Sequence, residues 1–291
     1  MKRVKESARR AYGEIIRGRT RVRLIHEESR PAETPPRFIL SLYRSGTTLL
    51  RYCLDSHPQL AVPPETDFIG LLAKILEDQQ SLAGYRDLGY DAEDARRVLA
   101  DAARRPLDTY AAGRDASAGW VDKSPRNAES PASIYALFPD SRMVIMHRHP
   151  LDQIHSFTRG GSFCHPALRV SIHGEELIAA AAEYWRANTK LLIQESESHA
   201  ESTLAMRYED LCAQPERILR DVLSHYGLEW SSEVLKYHAH DHDLGREAGR
   251  VAGTRGFSVS ADAWRNWPAE WAERAWEVTS REATLLGYTI A

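Results

Sequence analysis

The stretch Ser141–His147 constrains the fold more than any other part of this chain, because Met143-Val144-Ile145-Met146 runs apolar without a break. A half-exposed strand alternates apolar and polar residues. One that is apolar at every position is buried on both faces, as in a parallel sheet covered by helices. Other segments agree with that reading. Arg37–Leu42 reads as a first strand around Phe38-Ile39-Leu40, Gly119–Asp122 as a second, and Thr203–Arg207 as a strand beyond Ser141–His147. Helical stretches lie between them: Thr47–Ser56, stopped by His57-Pro58; 66–77; 91–105, rich in Ala, Asp and Arg and assigned to the surface; and Pro125–Phe138. Another opens at Pro150, a first helical position where a missing N–H costs nothing, and 175–198, 215–227 and 268–286 follow. Strands separated by helices predict an α/β fold, a parallel sheet flanked by helices on both faces.

Bulk properties narrow the function classes. The 291 residues, 43% hydrophobic and 27% charged, are enough for a full core in an ordinary globular protein. A net charge of -3 gives no general pull toward nucleic acid, so an anion site has to be local. Cys53, Cys164 and Cys212 are scattered without metal-ligand spacing, which fits free thiols in a reducing compartment. No apolar run approaches the roughly 20 residues that span a bilayer, and Lys2 onward is charged rather than signal-like. A cytoplasmic protein is expected. Residues 1–36 read as a basic N-terminal helix and linker, and 37–291 as the domain proper. Lys2, Arg3, Lys5, Arg9, Arg10, Arg17, Arg19, Arg21 and Arg23 would suit contact with an anionic membrane surface. A solvated helix on the domain edge needs less and is preferred.

Arg44-Ser45-Gly46-Thr47-Thr48 joins the first strand to a helix and carries the first chemical signal. A tight turn feeding a helix start aims backbone N–H groups and a positive dipole end at one point, the arrangement that holds phosphate. A nucleotide-hydrolysing P-loop has lysine directly after its last glycine. Here Thr47 follows Gly46, Ser41 takes the place of the first glycine, and the cation, Arg44, comes before the turn. The loop is P-loop-like and suits a phosphate ester without ordinary ATP chemistry. A second signal sits where the apolar third strand meets a helix: Arg148-His149-Pro150-Leu151-Asp152, with Ser156 one turn further. Arg148 offers a forked contact to phosphate. A nucleotide with two separate phosphate groups would use both cradles.

These two motifs resemble those of sulfotransferases that use 3'-phosphoadenosine 5'-phosphosulfate (PAPS). The family's 5'-phosphosulfate loop, [KR]-S-G-T-T-x-L, is similar to Arg44–Leu50, and its 3'-phosphate motif, R-x-P-x-D-x-x-x-S, is met by Arg148, Pro150, Asp152 and Ser156. Arg207-Tyr208-Glu209-Asp210-Leu211, followed by Pro215-Glu216, resembles a strand-to-helix junction of the family. The likeness is greatest to the branch with tyrosylprotein sulfotransferases and many bacterial enzymes. There a glutamate about 20 residues after the loop is the catalytic base and a lysine stabilises the transition state. By this match the base falls on Glu65 and the cation on Lys123, in Asp122-Lys123-Ser124-Pro125.

The resemblance implies that Ser45, Gly46, Thr47 and Thr48 hold the 5'-phosphate and that Arg148 and Ser156 hold the 3'-phosphate. Arg44 and Lys123 would neutralise the transferring group and the leaving oxygen, and Glu65 would take the acceptor's proton. Tyr208 is counted with the cofactor contacts, although a packed tyrosine is its plainer reading. PAPS would be the donor, with no metal required because arginine and lysine supply the charge. Two departures stand out: an arginine of the branch falls on Gly160, beside Arg159, and the C-terminal cofactor loop is matched only loosely by Gly253–Trp267. The acceptor would be a small-molecule or glycolipid-type hydroxyl compound, facing 66–118 and about 160–180. No nucleic-acid partner is expected, and a homodimer is admitted without being required.

The rival readings are a P-loop nucleotide kinase or NTPase, and a non-catalytic nucleotide-binding relic of the same fold. His238, His240 and His242 suggest a metal, but their spacing in a polar stretch favours solvated histidines. Trp264, Trp267, Trp271 and Trp276 are expected to pack the C-terminal helix, with Trp264 or Trp267 near an adenine.

Overall fold

A computed structural model describes residues 34–159, 174–243 and 254–290. The basic segment up to residue 33 lies outside the described residues, as do Gly160, Phe163, Cys164, His165 and Gly253. Four strands, β1 (Arg37–Leu40), β2 (Val121–Lys123), β3 (Arg142–His147) and β4 (Thr203–Arg207), form one sheet in the order β2-β1-β3-β4. All pairs are parallel, with Ile39 opposite Lys123 and Val144, and His147 opposite Arg207.

The unbroken apolar runs are explained by two cores. Phe38, Leu40, Met143 and Ile145 point into one, and Ile39, Val121, Val144 and Met146 into the other. The first is covered by α2 (Ile69–Lys74), α4 (Ala92–Ala112), α5 (Pro131–Leu137), α6 (Pro150–Thr158), α7 (Gly174–Ser198) and α10 (Ala269–Leu285). The second is covered by α1 (Thr47–Asp55), α8 (Tyr208–Ala213) and α9 (Pro215–His225). Helices thus flank both faces, as the pattern predicts. The chain leaves β1 toward one edge of the sheet and β3 toward the other. The β1–β3 boundary is therefore where the connections change direction, the usual ligand position in such sheets.

Several boundaries differ from expectation for local reasons. The helix expected over 66–77 begins at Ile69, because the N–H groups of Thr66 and Asp67 are both taken by Ser124 Oγ, at 2.9 and 3.1 Å. α4 runs through Pro106 to Ala112 rather than stopping near 105, since Ala95, Leu99, Ala103, Leu107 and Ala111 keep one face buried past the proline. That face makes α4 half core rather than a surface element. The stretch Pro125–Phe138 splits at Ser130, which has φ -150°, into a 3-10 turn (Pro125–Glu129) and α5, each opened by a proline. α3 (Gln79–Asp87), capped by the Asp78 side chain on Ser81 N–H, and α8 are additions to the expected set. No helix among the described residues is long and apolar enough to cross a membrane.

Candidate active site

The loop after β1 is held from below so that its upper side is left open. Ser45 Oγ donates to the Leu42 carbonyl at 2.6 Å. Gln153 on α6, 1% exposed, donates to the Tyr43 carbonyl (2.6 Å) and to Ser45 Oγ (2.7 Å), and accepts from Trp185 Nε1 at 2.8 Å. Gly46 has φ +91°, a conformation that favours glycine, and a Cβ there would lie 2.3 Å from Tyr208 Cδ2. Both the turn and the ring contact therefore require glycine. The N–H groups of Ser45, Gly46, Thr47 and Thr48 meet no acceptor among the described residues. Together with the α1 dipole they form an anion cradle.

The second cradle is tied to the first. Arg148 follows β3 and donates from Nη1 to the Arg44 carbonyl at 2.8 Å and from Nη2 to the Ser260 carbonyl, while its buried Nε meets no partner. Arg44, itself at φ +65°, donates from Nε to Ser156 Oγ at 2.9 Å. The side chain of Arg44 thus ends in the second cradle. Tyr208 is a packed pillar: its ring lies on Gly46, the Arg148 guanidinium stands 5.0 Å from its centre, and its hydroxyl donates to Ser258 O and accepts from Ser260 N–H. Burial pushes the Tyr208 phenol up to about 12. Burial also raises the Asp152 carboxyl, against the opposing pull of Arg148, and drives His147 down to about 4.

A third group lies at the end of β2. Lys123, 1% exposed, donates to Glu65 Oε1 at 2.6 Å, while Glu65 Oε2 has no partner among the described residues. Beside it, Asp122 is wholly buried and accepts from Thr66 Oγ1 and Asn127 Nδ2, each at 2.7 Å. Burial pushes the Asp122 carboxyl up to about 6, tempered by those two bonds and by Lys123. Arg51 on α1 donates from Nε to the carbonyls of Val62 and Pro63, at 3.0 Å each, fixing the chain just ahead of Glu65. The Tyr43 phenol is pushed up to about 12, mainly by burial and then by Asp67, Glu129 and Glu65. The structure therefore joins Glu65 to Lys123, and Arg44 to Ser156 and Arg148. The first two groups offer donors suited to anions, and the third pairs a carboxylate with a buried cation.

Sequence reasoning missed Gln153, Asp122, Thr66, Ser124 and Asn127. A signal was present for two of them: Asp122 is a carboxylate inside a short buried strand, and Gln153 lies one helical turn before Ser156. His242 corrects an expectation. Its side chain is only 6% exposed, stacks on Tyr52 at 4.4 Å, and is bonded to Asp55 and the Tyr237 carbonyl, so it is a structural brace rather than a solvated side chain. Among the described residues no group of three or more His, Cys, Asp or Glu side chains could hold a metal ion. Trp264 stacks on His149 and Trp267 leans on His155, at 6.2 and 5.6 Å between ring centres.

Comparison with known proteins supplies the context. The sequence model described as "Sulfotransferase family" matches residues 35–232. The chain is 28% identical over 225 residues to Protein-tyrosine sulfotransferase 2 of Gallus gallus, covering 75% of this chain and 57% of that protein. It spans a little over half the length of that protein and of Protein-tyrosine sulfotransferase 1 of Danio rerio. Its fold is similar to the sulfotransferase domain from the curacin biosynthetic pathway, with TM-score 0.65, 23% identity, and 89% and 99% of the two chains covered. A mouse sulfotransferase crystallised with PAP shares the fold at TM-score 0.50 and 11% identity, over 86% and 84% of the two chains.

Proposed function

The chain belongs to the sulfotransferase family, and from that premise and the site's geometry we propose that it moves a sulfuryl group from PAPS to a hydroxyl acceptor. One observation carries the choice of donor. The two anion cradles are bonded to each other through Arg148 and the Arg44 carbonyl, which suits a nucleotide with separate 5'- and 3'-phosphates. The residues fit such a group: open N–H donors at Ser45–Thr48 for one phosphate, and the unpartnered Arg148 Nε with Ser156 and Arg44 for the other. The mouse protein's complex with PAP (adenosine 3',5'-bisphosphate) supports a donor that leaves this product behind.

The donor supplies an electrophilic sulfuryl group whose S–O bond to the 5'-phosphate breaks as a bond to the acceptor oxygen forms. Glu65 takes the acceptor's proton on Oε2, while Oε1 keeps hold of Lys123. Lys123 neutralises charge growing on the leaving oxygen. Arg44, held at Ser156, is assigned to the nucleotide's phosphates; serving the leaving oxygen would require it to turn away from that bond. Tyr208 supports the loop rather than stacking on a base. The acceptor is assigned to small hydroxyl metabolites or glycolipid precursors, with peptide tyrosine as the contrasting case. Free buried thiols at Cys53 and Cys212 support a reducing, cytoplasmic setting.

A thermal-shift titration tests the donor: adenosine 3',5'-bisphosphate raises the melting temperature and ATP with magnesium does not. Stabilisation by ATP–magnesium alone would establish the kinase or NTPase reading instead. With 35S-labelled PAPS and a panel of phenols, alcohols and a tyrosine peptide, Glu65→Gln and Lys123→Ala abolish transfer while still binding the bisphosphate. Undiminished transfer in both variants would refute these two roles.

A further inference from the structure

We propose that Asp122 is a positioning residue, which through Thr66 holds the Glu65 carboxylate in register with Lys123. The inference rests on the reading of Glu65 as base. Its geometric basis is a closed ring. Glu65 and Thr66 are consecutive in the chain, as are Asp122 and Lys123. The Thr66 hydroxyl donates to Asp122 Oδ1 at 2.7 Å, and Lys123 Nζ donates to Glu65 Oε1 at 2.6 Å. Two covalent links, one hydrogen bond and one ion pair thus leave Glu65 little freedom relative to β2.

The ring is braced from a third side. Ser124 Oγ accepts the N–H groups of both Thr66 and Asp67, which Asp67 makes possible by adopting φ +58°. Asn127 donates Nδ2 to Asp122 Oδ2 and accepts the Gly70 N–H on its own oxygen, so its amide has a fixed orientation. Asp122 is wholly buried and a carboxylate can only accept, which matches the donors that face it: Thr66 and Asn127 at 2.7 Å each, and the Ser124 hydroxyl at 3.5 Å. An orphaned member would be costly here, because Asp122, Lys123, Ser124 and Asn127 are all buried. The sheet register places Asp122 opposite Phe38 and Lys123 opposite Ile39, so this ring stands one strand away from the anion loop.

A positioned base and a merely structural contact differ in one measurable way. Loss of the base matters for an acceptor that must be deprotonated and hardly at all for one already ionised. Transfer from labelled PAPS is therefore measured at pH 8 to 4-nitrophenol, largely phenolate, and to 4-methylphenol, almost wholly protonated. Thr66→Val removes the donor while keeping the shape, and Thr66→Ser keeps the donor. The expected result is a fall of about tenfold or more in kcat for 4-methylphenol in Thr66→Val, with little change for 4-nitrophenol, unchanged bisphosphate affinity, and recovery in Thr66→Ser. Equal losses with both phenols, or no loss, would overturn the proposal. Crystal structures of the two variants give a readout independent of turnover. The Glu65–Lys123 contact opens in Thr66→Val and stays closed in Thr66→Ser, and a closed contact in both would refute the ring. A wild-type protein that fails to bind the bisphosphate would instead count against the donor assignment.

Discussion

Gly46→Ala tests the central packing claim of the anion loop. Two costs can be worked from the structure. An alanine at φ +91° carries the left-handed penalty of about 1–2 kcal/mol. Its Cβ would also fall 2.3 Å from Tyr208 Cδ2, and moving a packed ring to clear such an overlap costs about 1–3 kcal/mol. The sum of about 2–5 kcal/mol lowers the melting temperature by roughly 4–20 °C for a domain of this size. Because the displaced loop carries the open N–H groups, bisphosphate affinity falls with it. The decisive assay is a double-mutant cycle with Tyr208→Ala by urea unfolding. Removing the ring abolishes the overlap but not the backbone penalty, so the double variant is more stable than the sum of the single effects by about 1–3 kcal/mol. Additivity within about 0.5 kcal/mol would refute the ring contact as the reason for glycine. A Gly46→Ala protein melting with the wild type would refute both terms.

Two further outcomes follow from buried groups behind the site. His147 has its pKa depressed to about 4 by burial, so its contribution to stability is complete above the unfolded value near 6.5. As pH falls through 6.5 toward 4, the unfolded chain takes up a proton that the fold excludes, and stability drops by up to about 3 kcal/mol. Urea unfolding at pH 7, 5.5 and 4.5 shows this loss in the wild type and a shallower one in His147→Gln; equal slopes would dismiss the assignment. Gln153→Leu removes both donors that support the loop from below and orphans the Trp185 N–H. Isothermal titration is expected to show bisphosphate binding weakened about tenfold, as one to two hydrogen bonds would predict; wild-type affinity would rule out the brace.

The parts of the molecule that could be read from sequence are those where local chemistry decides alone. Unbroken apolar runs at 38–40 and 143–146 predicted strands buried on both faces, and each strand divides its residues between the two cores. Pro150 marked the start of α6, and Gly46 marked the turn. What escaped depends on partners distant in the chain. Nothing near Thr66 announces that Ser124 will take its N–H and delay a helix to Ile69. Pro106 normally ends a helix, and here the buried alanine and leucine face of α4 outweighs it. His242 looked solvated because Asp55, its partner, lies 187 residues away. The bond from Arg44 to Ser156, 112 residues on, was likewise beyond any local pattern.

The bonds that brace the site fall into two sets with almost no members in common. Gln153, Arg148 and Tyr208 hold the anion loop, while Asp122, Ser124 and Asn127 hold the Glu65 segment. Arg51 links the two, rising from the helix that follows the loop to grip Val62 and Pro63. In evolutionary terms the site is separable. If the acceptor meets α2, α3 and α4 as proposed, a lineage adapting to a new one is free to rewrite their exposed faces without touching the bonds that hold the anion loop. Drift is least tolerated at Arg51, where a change made for one half is inherited by the other.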